Sequence, residues 1–368
     1  MRQRLHAPAA HACLLLLLLL SAQAAHAQLS APKLTPVAPN ETQKAAIKAG
    51  VELHDKGDFD AAISKYQEAL KENPDNVLAM YELAYSYYAK KDYAKTLEIV
   101  YRGAWYKSEH LGGFYTLAGN VLDNQGNAQK AIEVYKAGIK LMPEEGLLYF
   151  NLAITERGAG KLEDARKSAK RAVSFIPDHR SSHLLLGTLF HNGQYKTPAL
   201  LAMLRFLTLE PATARSQAAL KVAQEILGSG VTQGKNANEI NIFVDMSAKK
   251  DEGDFDALNM MLGLSKAASM TEKNNKSKTG VELLVGQFNS FLAVLSEMDA
   301  KKFGSSFTGK YYVPYFVELK RRNYVEPFIY HTHRRSNLPG VEEWLRQNGA
   351  RLDEFLRWSK SYRWPRVE

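Results

Sequence analysis

From residue 49 to residue 211 apolar and small positions recur in one order. The stretch 49–74 reads AGVELHDKGDFDAAISKYQEALKENP and the stretch 118–143 reads AGNVLDNQGNAQKAIEVYKAGIKLMP, while later copies end AVSFIP (172–177) and FLTLEP (206–211). Apolar residues three and four apart predict two amphipathic helices per copy. Glycines at 57, 126, 160 and 193 fall at or near the turn between them, where a positive φ is easiest for glycine. Pro74, Pro143, Pro177 and Pro211, spaced 69, 34 and 34 residues apart, each end a second helix, because proline cannot continue the hydrogen-bond ladder. Small residues (Gly50, Ala84, Gly119, Ala153, Gly187) mark where the first helix of a pair meets the second closely. Tyr66, Val100, Tyr135 and Met203 fill the space opposite. The copy at 77–111 is irregular: Thr96 replaces the second-helix alanine, Ser108 the proline, and one residue is inserted. One such hairpin cannot bury its own apolar face, so neighbours must stack.

The 34-residue period and the small–aromatic alternation resemble the tetratricopeptide repeat over about residues 43–213. The resemblance implies an all-α fold, a TPR α-solenoid of about five repeats followed by a TPR-like helical C-terminal domain. Residues 214–227 read as a solvating cap helix and 228–238, rich in Gly, Ser and Asn, as a linker. Residues 252–268 echo 56–70, 273–278 read as a polar loop, and helices are predicted over 280–298 and about 310–322, 324–334 and 341–362. The expected domains are therefore a signal peptide (1–27), an N-terminal linker (28–42), the solenoid with its cap (43–227), the linker (228–238) and a basic, aromatic-rich helical domain (239–368).

The expected signal peptide rests on Arg2 and Arg4, the leucine run Leu14–Leu20 and the Ala25-His26-Ala27 cleavage pattern. It predicts export, to a bacterial periplasm or to the medium. The single cysteine, Cys13, lies within it, so thiol nucleophiles, disulfides and cysteine metal sites are excluded from the rest of the chain. Charge is uneven. Residues 28–300 carry 32 basic and 32 acidic side chains, whereas 301–368 carry 14 and 7.

Motifs of catalysis are missing: HExxH, GxSxG, the phosphate loop and the calcium loop are all absent. Gly158-Ala159-Gly160-Lys161 reads as a repeat turn, and Glu144-Glu145, Glu342-Glu343 and Asp353-Glu354 as helix-start or solvated charges. His331-Thr332-His333 could ligate a metal only on a strand; in a helical context it reads as a basic surface segment with Arg334 and Arg335. No metal, cofactor or catalytic residue is predicted.

The resemblance implies a concave face lined by first-helix residues. In this sequence these include Tyr81, Tyr85, Tyr88, Asn120, Asp123, Phe150, Arg157 and His191. Rings beside amide and charged groups suit an extended peptide, and the same rings could instead pack between repeats. The basic clamp with which some family members hold a C-terminal carboxylate is not reproduced, since the third repeat offers Gly113, Thr116 and Asn120. The C-terminal domain combines a basic surface (Arg321, Arg322, Arg334, Arg335) with dense aromatics. That pairing suits an anionic glycan or a membrane surface, nucleic acid being disfavoured by export. The plainer reading puts the rings in the core. The expected function is an exported, non-catalytic TPR scaffold for a protein or peptide partner. The alternatives are a cell-envelope polysaccharide assembly factor or glycan-binding protein, and a hydrolase with its site in the C-terminal domain.

Overall fold

The computed structural model describes residues 29, 31–233, 235, 239–242, 250–269, 279–298 and 300–367. The signal peptide at 1–27 and the polar loop at 273–278 lie outside them. The fold is all-α: the described residues form 17 helices and one two-stranded antiparallel hairpin. The chain divides into two compact units, residues 1–159 and 160–368, and the division falls inside the repeat array instead of at 228–238.

The first unit holds α1 (Glu41–Asp55), α2 (Phe59–Glu72), α3 (Val77–Ala89), α4 (Tyr93–Gly103), α5 (Leu111–Asn124), α6 (Ala128–Leu141) and α7 (Gly146–Gly158). Their starts are written in the sequence. Asn40, Asp58, Asn76 and Asp92 each accept a hydrogen bond from a backbone N–H of the first turn. Hairpin closure follows the small–large alternation: a Cβ on Gly50 would lie 2.5 Å from the Tyr66 ring, and one on Gly119 2.2 Å from Tyr135. Gly57, Gly126 and Gly160 take positive φ at the turns as expected. In the other two repeats Lys91 and Gln194 take it instead, and Gly193 keeps a negative φ.

The irregular second repeat is completed from outside. Its α4 has 11 residues against 14 in α2 and α6, and the chain after it is held by the segment expected as an N-terminal linker. Lys33 and Leu34 donate backbone N–H to Trp105 O at 2.8 Å, and Lys107 donates to Leu34 O at 2.8 Å. Leu29 is buried in the same core, and Asn73 Nδ2 donates to Val37 O.

The second unit begins with α8 (Leu162–Phe175), α9 (Arg180–Asn192), α10 (Lys196–Leu209) and α11 (Ala214–Leu227). The short strands β1 (Val231–Gln233) and β2 (Ile240–Ile242) pair next, within the region expected as linker and helical domain. Then come α12 (Asp256–Ser269), α13 (Gly280–Glu297), α14 (Phe307–Arg321), α15 (Val325–Thr332), α16 (Val341–Gln347) and α17 (Gly349–Ser361). The helix expected over 341–362 is thus two helices, broken at Asn348. Residues 197–208 of α10 are all buried, because α14, α15 and the C-terminal segment wrap the repeat helices. Likewise α11 buries Ala219, Leu220, Ala223, Ile226 and Leu227, so it continues the packing and does not end it.

The tail's aromatics form this second core. Tyr311, Tyr312, Tyr315 and Phe316 are inaccessible, and Trp364 stacks on Tyr311 and Tyr315 at 4.8 Å. Polar anchors thread it. Tyr311 Oη donates to Val173 O at 2.6 Å, and Ser174 Oγ to Val367 O at 3.2 Å. Arg205, almost wholly buried, donates to Asp178 and Ser359 and lies against the Tyr315 and Trp364 rings.

Candidate functional site

In the first unit the first helices of successive hairpins, α1, α3, α5 and α7, pack on one another, which the second helices do not do to the same extent. Their shared face is the one on which the sequence places most candidate residues. Four rings run along it. His54 at the end of α1 stacks on Tyr85 (5.0 Å), Tyr85 on Tyr81 (6.4 Å), and Tyr81 on His110 just before α5 (5.3 Å), with interplanar angles of 24°, 14° and 15°. The His54 ring is oriented by Ser86 Oγ, 2.7 Å from Nδ1. Ser86 is wholly buried, so this pair positions an imidazole and presents no nucleophile.

The expected ligand-contact residues divide by role. Tyr85 is 44% exposed. Tyr81 is half-buried over the next repeat: a Cβ on Gly113 would sit 2.4 Å from its ring. Burial, reinforced by Glu82, raises the Tyr81 hydroxyl pKa. Tyr88 Oη accepts from Asn124 (2.9 Å), Asn120 Oδ1 accepts from Tyr135 (2.6 Å), and Asp123 Oδ2 accepts from Thr155 (2.9 Å). These three therefore tie repeats or hairpins together. On α7, Phe150 in the second turn is half-buried and Arg157 in the last turn is exposed. His191 is half-buried on α9, in the second unit.

Glu82 and Asp55 were not among the expected site residues. Burial first, and Asp55 second, raise the Glu82 carboxyl above its usual range. Tyr66 beneath is pushed up to about 12 by burial and then by Glu82. The signal was available in the sequence, since Asp55 follows His54 and Glu82 follows Tyr81 directly. What could not be read was the convergence of two helices.

In the C-terminal region Arg321 and Arg322 both bind Glu318 (2.6 Å each), whose carboxyl is held at about 2, chiefly by Arg321. Arg334 and Arg335 are exposed. The reading of His331-Thr332-His333 as a surface segment is overturned, since all three are buried. His331 Nε2 meets Thr208 O at 3.0 Å and His333 Nδ1 meets Ile329 O at 2.9 Å. Burial lowers both histidines to about 4, so they are neutral packing groups at pH 7. Among the described residues no group of three or more His, Cys, Asp or Glu could hold a metal ion, and no helix is long and apolar enough to cross a membrane.

Comparison with known proteins agrees with the repeat geometry. Residues 47–104 and 116–180 match the tetratricopeptide repeat family. BBSome complex member BBS4 of Mus musculus is 26% identical over 157 residues, 43% of this chain and 30% of that protein. The TPR repeat-containing thioredoxin TTL4 of Arabidopsis thaliana is 34% identical over 73 residues, 20% of this chain and 11% of that one. The chain thus matches less than a third of the length of either relative. Among solved structures, TTC0263, a TPR protein of Thermus thermophilus, is 20% identical, with 50% of this chain and 99% of that chain covered at a TM-score of 0.42. Pseudomonas aeruginosa pilF is 18% identical, with 50% and 88% covered at 0.41. These two likenesses concern the fold alone.

Proposed function

With residues 47–104 and 116–180 being tetratricopeptide repeats, we propose that the chain is a non-catalytic scaffold that holds an extended segment of another protein along the α1–α3–α5–α7 face of its first unit. The observation that carries this is the four-ring stack His54–Tyr85–Tyr81–His110. Rigid aromatic groups, already stacked, lose little conformational freedom when they bury a partner's apolar side chains. Tyr85 is the most open of the face's tyrosines and serves as the contact, while Tyr81, Tyr88, Asn120 and Asp123 hold the surface in shape. Phe150 and Arg157 are secondary contacts in this proposal; His191, in the second unit, stands outside it.

The polysaccharide reading loses its support, because the tail's rings are used in packing and two of its four expected surface arginines are engaged by Glu318. Export to the periplasm is part of the proposal on the strength of residues 1–27 alone. Fusing residues 1–32 to alkaline phosphatase should give an active, cleaved enzyme in the bacterial envelope, and a cytoplasmic, uncleaved product would remove it.

The groove proposal is tested by placing a photoreactive p-benzoylphenylalanine at Tyr85 or, as a control, at Lys130 on α6. Irradiated cells should yield a discrete adduct from position 85 and none of that mass from position 130. Equal adducts from both positions, or none from 85, would remove the face from the account.

A further inference from the structure

The largest apolar side chain left open in the first unit is Trp105, 53% exposed in the turn after α4. Val37 (53%) and Leu34 (43%) stand out on the segment that pairs with this turn. The backbone beneath them is tied down. Trp105 O accepts the N–H groups of Lys33 and Leu34, Val37 O accepts from Asn73 Nδ2 at 3.2 Å, and Val37 N–H reaches Asp75 O at 3.4 Å. Tyr106, next to Trp105, is buried and donates to Asp75 at 2.6 Å. Two lysines flank the apolar groups in the same backbone register: Lys33 precedes Leu34, and the Lys107 N–H donates to Leu34 O. Both are exposed, and among the described residues neither side chain has an ion-pair or hydrogen-bond partner. Of the charges beside them, Arg102 donates to Pro74 O, Asp75 is engaged by Tyr106, and Glu109 lies 3.8 Å from His110.

We propose that Trp105, Leu34 and Val37, flanked by Lys33 and Lys107, form a peripheral docking surface for an anionic phospholipid bilayer. An indole favours the headgroup level, where its ring is buried and its N–H meets polar groups. Lysine stems lie along such a ring while the ammonium groups reach the phosphates, so the unpaired positive charge of the patch matches the surface it meets. A stable protein interface takes about 800 Å² from each partner, more than three side chains supply, whereas a bilayer needs no matching contour. A second copy is disfavoured, because a two-fold contact would set one lysine-flanked patch against another. Position in the chain agrees: the expected signal peptide ends at residue 27, so Leu34 lies within about 25 Å of a leader held in a membrane. That last support rests on the export reading, which the phosphatase fusion tests separately; the remainder draws on neither export nor the ring stack.

The test uses residues 28–368, which hold every described residue, sedimented with vesicles of phosphatidylcholine alone or mixed equally with phosphatidylglycerol. Binding is expected on the mixed vesicles and should fall about 10-fold or more with Trp105→Ala. Lys33→Gln and Lys107→Gln should each weaken it about 5-fold on mixed vesicles, with no change on phosphatidylcholine. Dibrominated acyl chains should quench part of the wild-type tryptophan fluorescence and none of it in Trp105→Phe. Should Trp105→Ala fail to give a wild-type melting curve, Val37→Ser takes its place. Vesicle binding that survives Trp105→Ala but is lost when Arg334 and Arg335 are both changed to Glu would place the contact in the tail and overturn the proposal. So would no binding to either vesicle, or a dimer in sedimentation velocity that Trp105→Ala dissociates.

Discussion

Tyr81 and Tyr85 stand one turn apart on α3 and do different work. Tyr81 covers Gly113 and meets Phe114 edge-on at 5.7 Å, so Tyr81→Ala opens a gap between repeats. A loss of about 2–3 kcal/mol in urea unfolding is expected, somewhat below that of a fully buried ring. Tyr85→Ala removes a ring that is 44% exposed, and the loss should stay under about 1 kcal/mol while partner binding falls. Gly119→Ala should destabilise by about 1–3 kcal/mol, since its Cβ would enter the Tyr135 ring. The helical period places Tyr81, Tyr85 and Tyr88 on one face from the sequence alone. It does not say which ring a neighbour covers, because the glycine that makes room for Tyr81 belongs to another helix. For the same reason the influence of Asp55 on Glu82 is not legible in the sequence: it arises only where α1 and α3 pack.

At the scale of elements, regularity decided what was legible. Helices with strong periodicity and clear ends, 214–227 and 280–298 above all, fall within one residue of their predicted bounds. Where the repeat pattern weakens, the missing information is tertiary. The second repeat lacks its proline and carries an insertion, and residues 33–34 supply backbone pairing to the loop after α4. Removing residues 29–39 should therefore speed hydrogen exchange at the Lys107 amide at least about 10-fold, whose acceptor is Leu34 O, with little change in α6. Unchanged protection at Lys107 would show that the segment merely lies on the array. The histidines of α15 went astray by another route. Arg334 and Arg335 next to them suggested a solvated run, whereas α15 turns His331 toward Thr208 of α10.

For the whole molecule the second unit carries a pH liability that the first does not share to the same degree. His183 is held at about 3, and His331 and His333 at about 4, all chiefly by burial. These folded-state values lie below the usual 6.5, so the unfolded chain binds protons first as pH falls. Stability should be intact above about pH 6.5 and decline as pH drops toward 4, by on the order of 2 kcal/mol per histidine at pH 4.5. Urea unfolding of a Trp105→Phe variant reports on the second unit, which contains the remaining tryptophans 344, 358 and 364. Its midpoint should fall between pH 7 and pH 4.5, and His331→Gln should lessen the fall. Arg205→Ala should cost about 2–4 kcal/mol and speed tryptic cleavage at the exposed Arg363, because the guanidinium packs against the Tyr315 and Trp364 rings. The excess charge of residues 301–368 was plain in composition, but its meaning depended on which rings faced inward. The most direct test of the account is amide hydrogen exchange of the full chain with and without a phage-selected peptide at saturation. Slowed exchange concentrated in the last turn of α1 and along α3 is the predicted result. Slowing confined to α2, α4 and α6, or to the second unit, would contradict it.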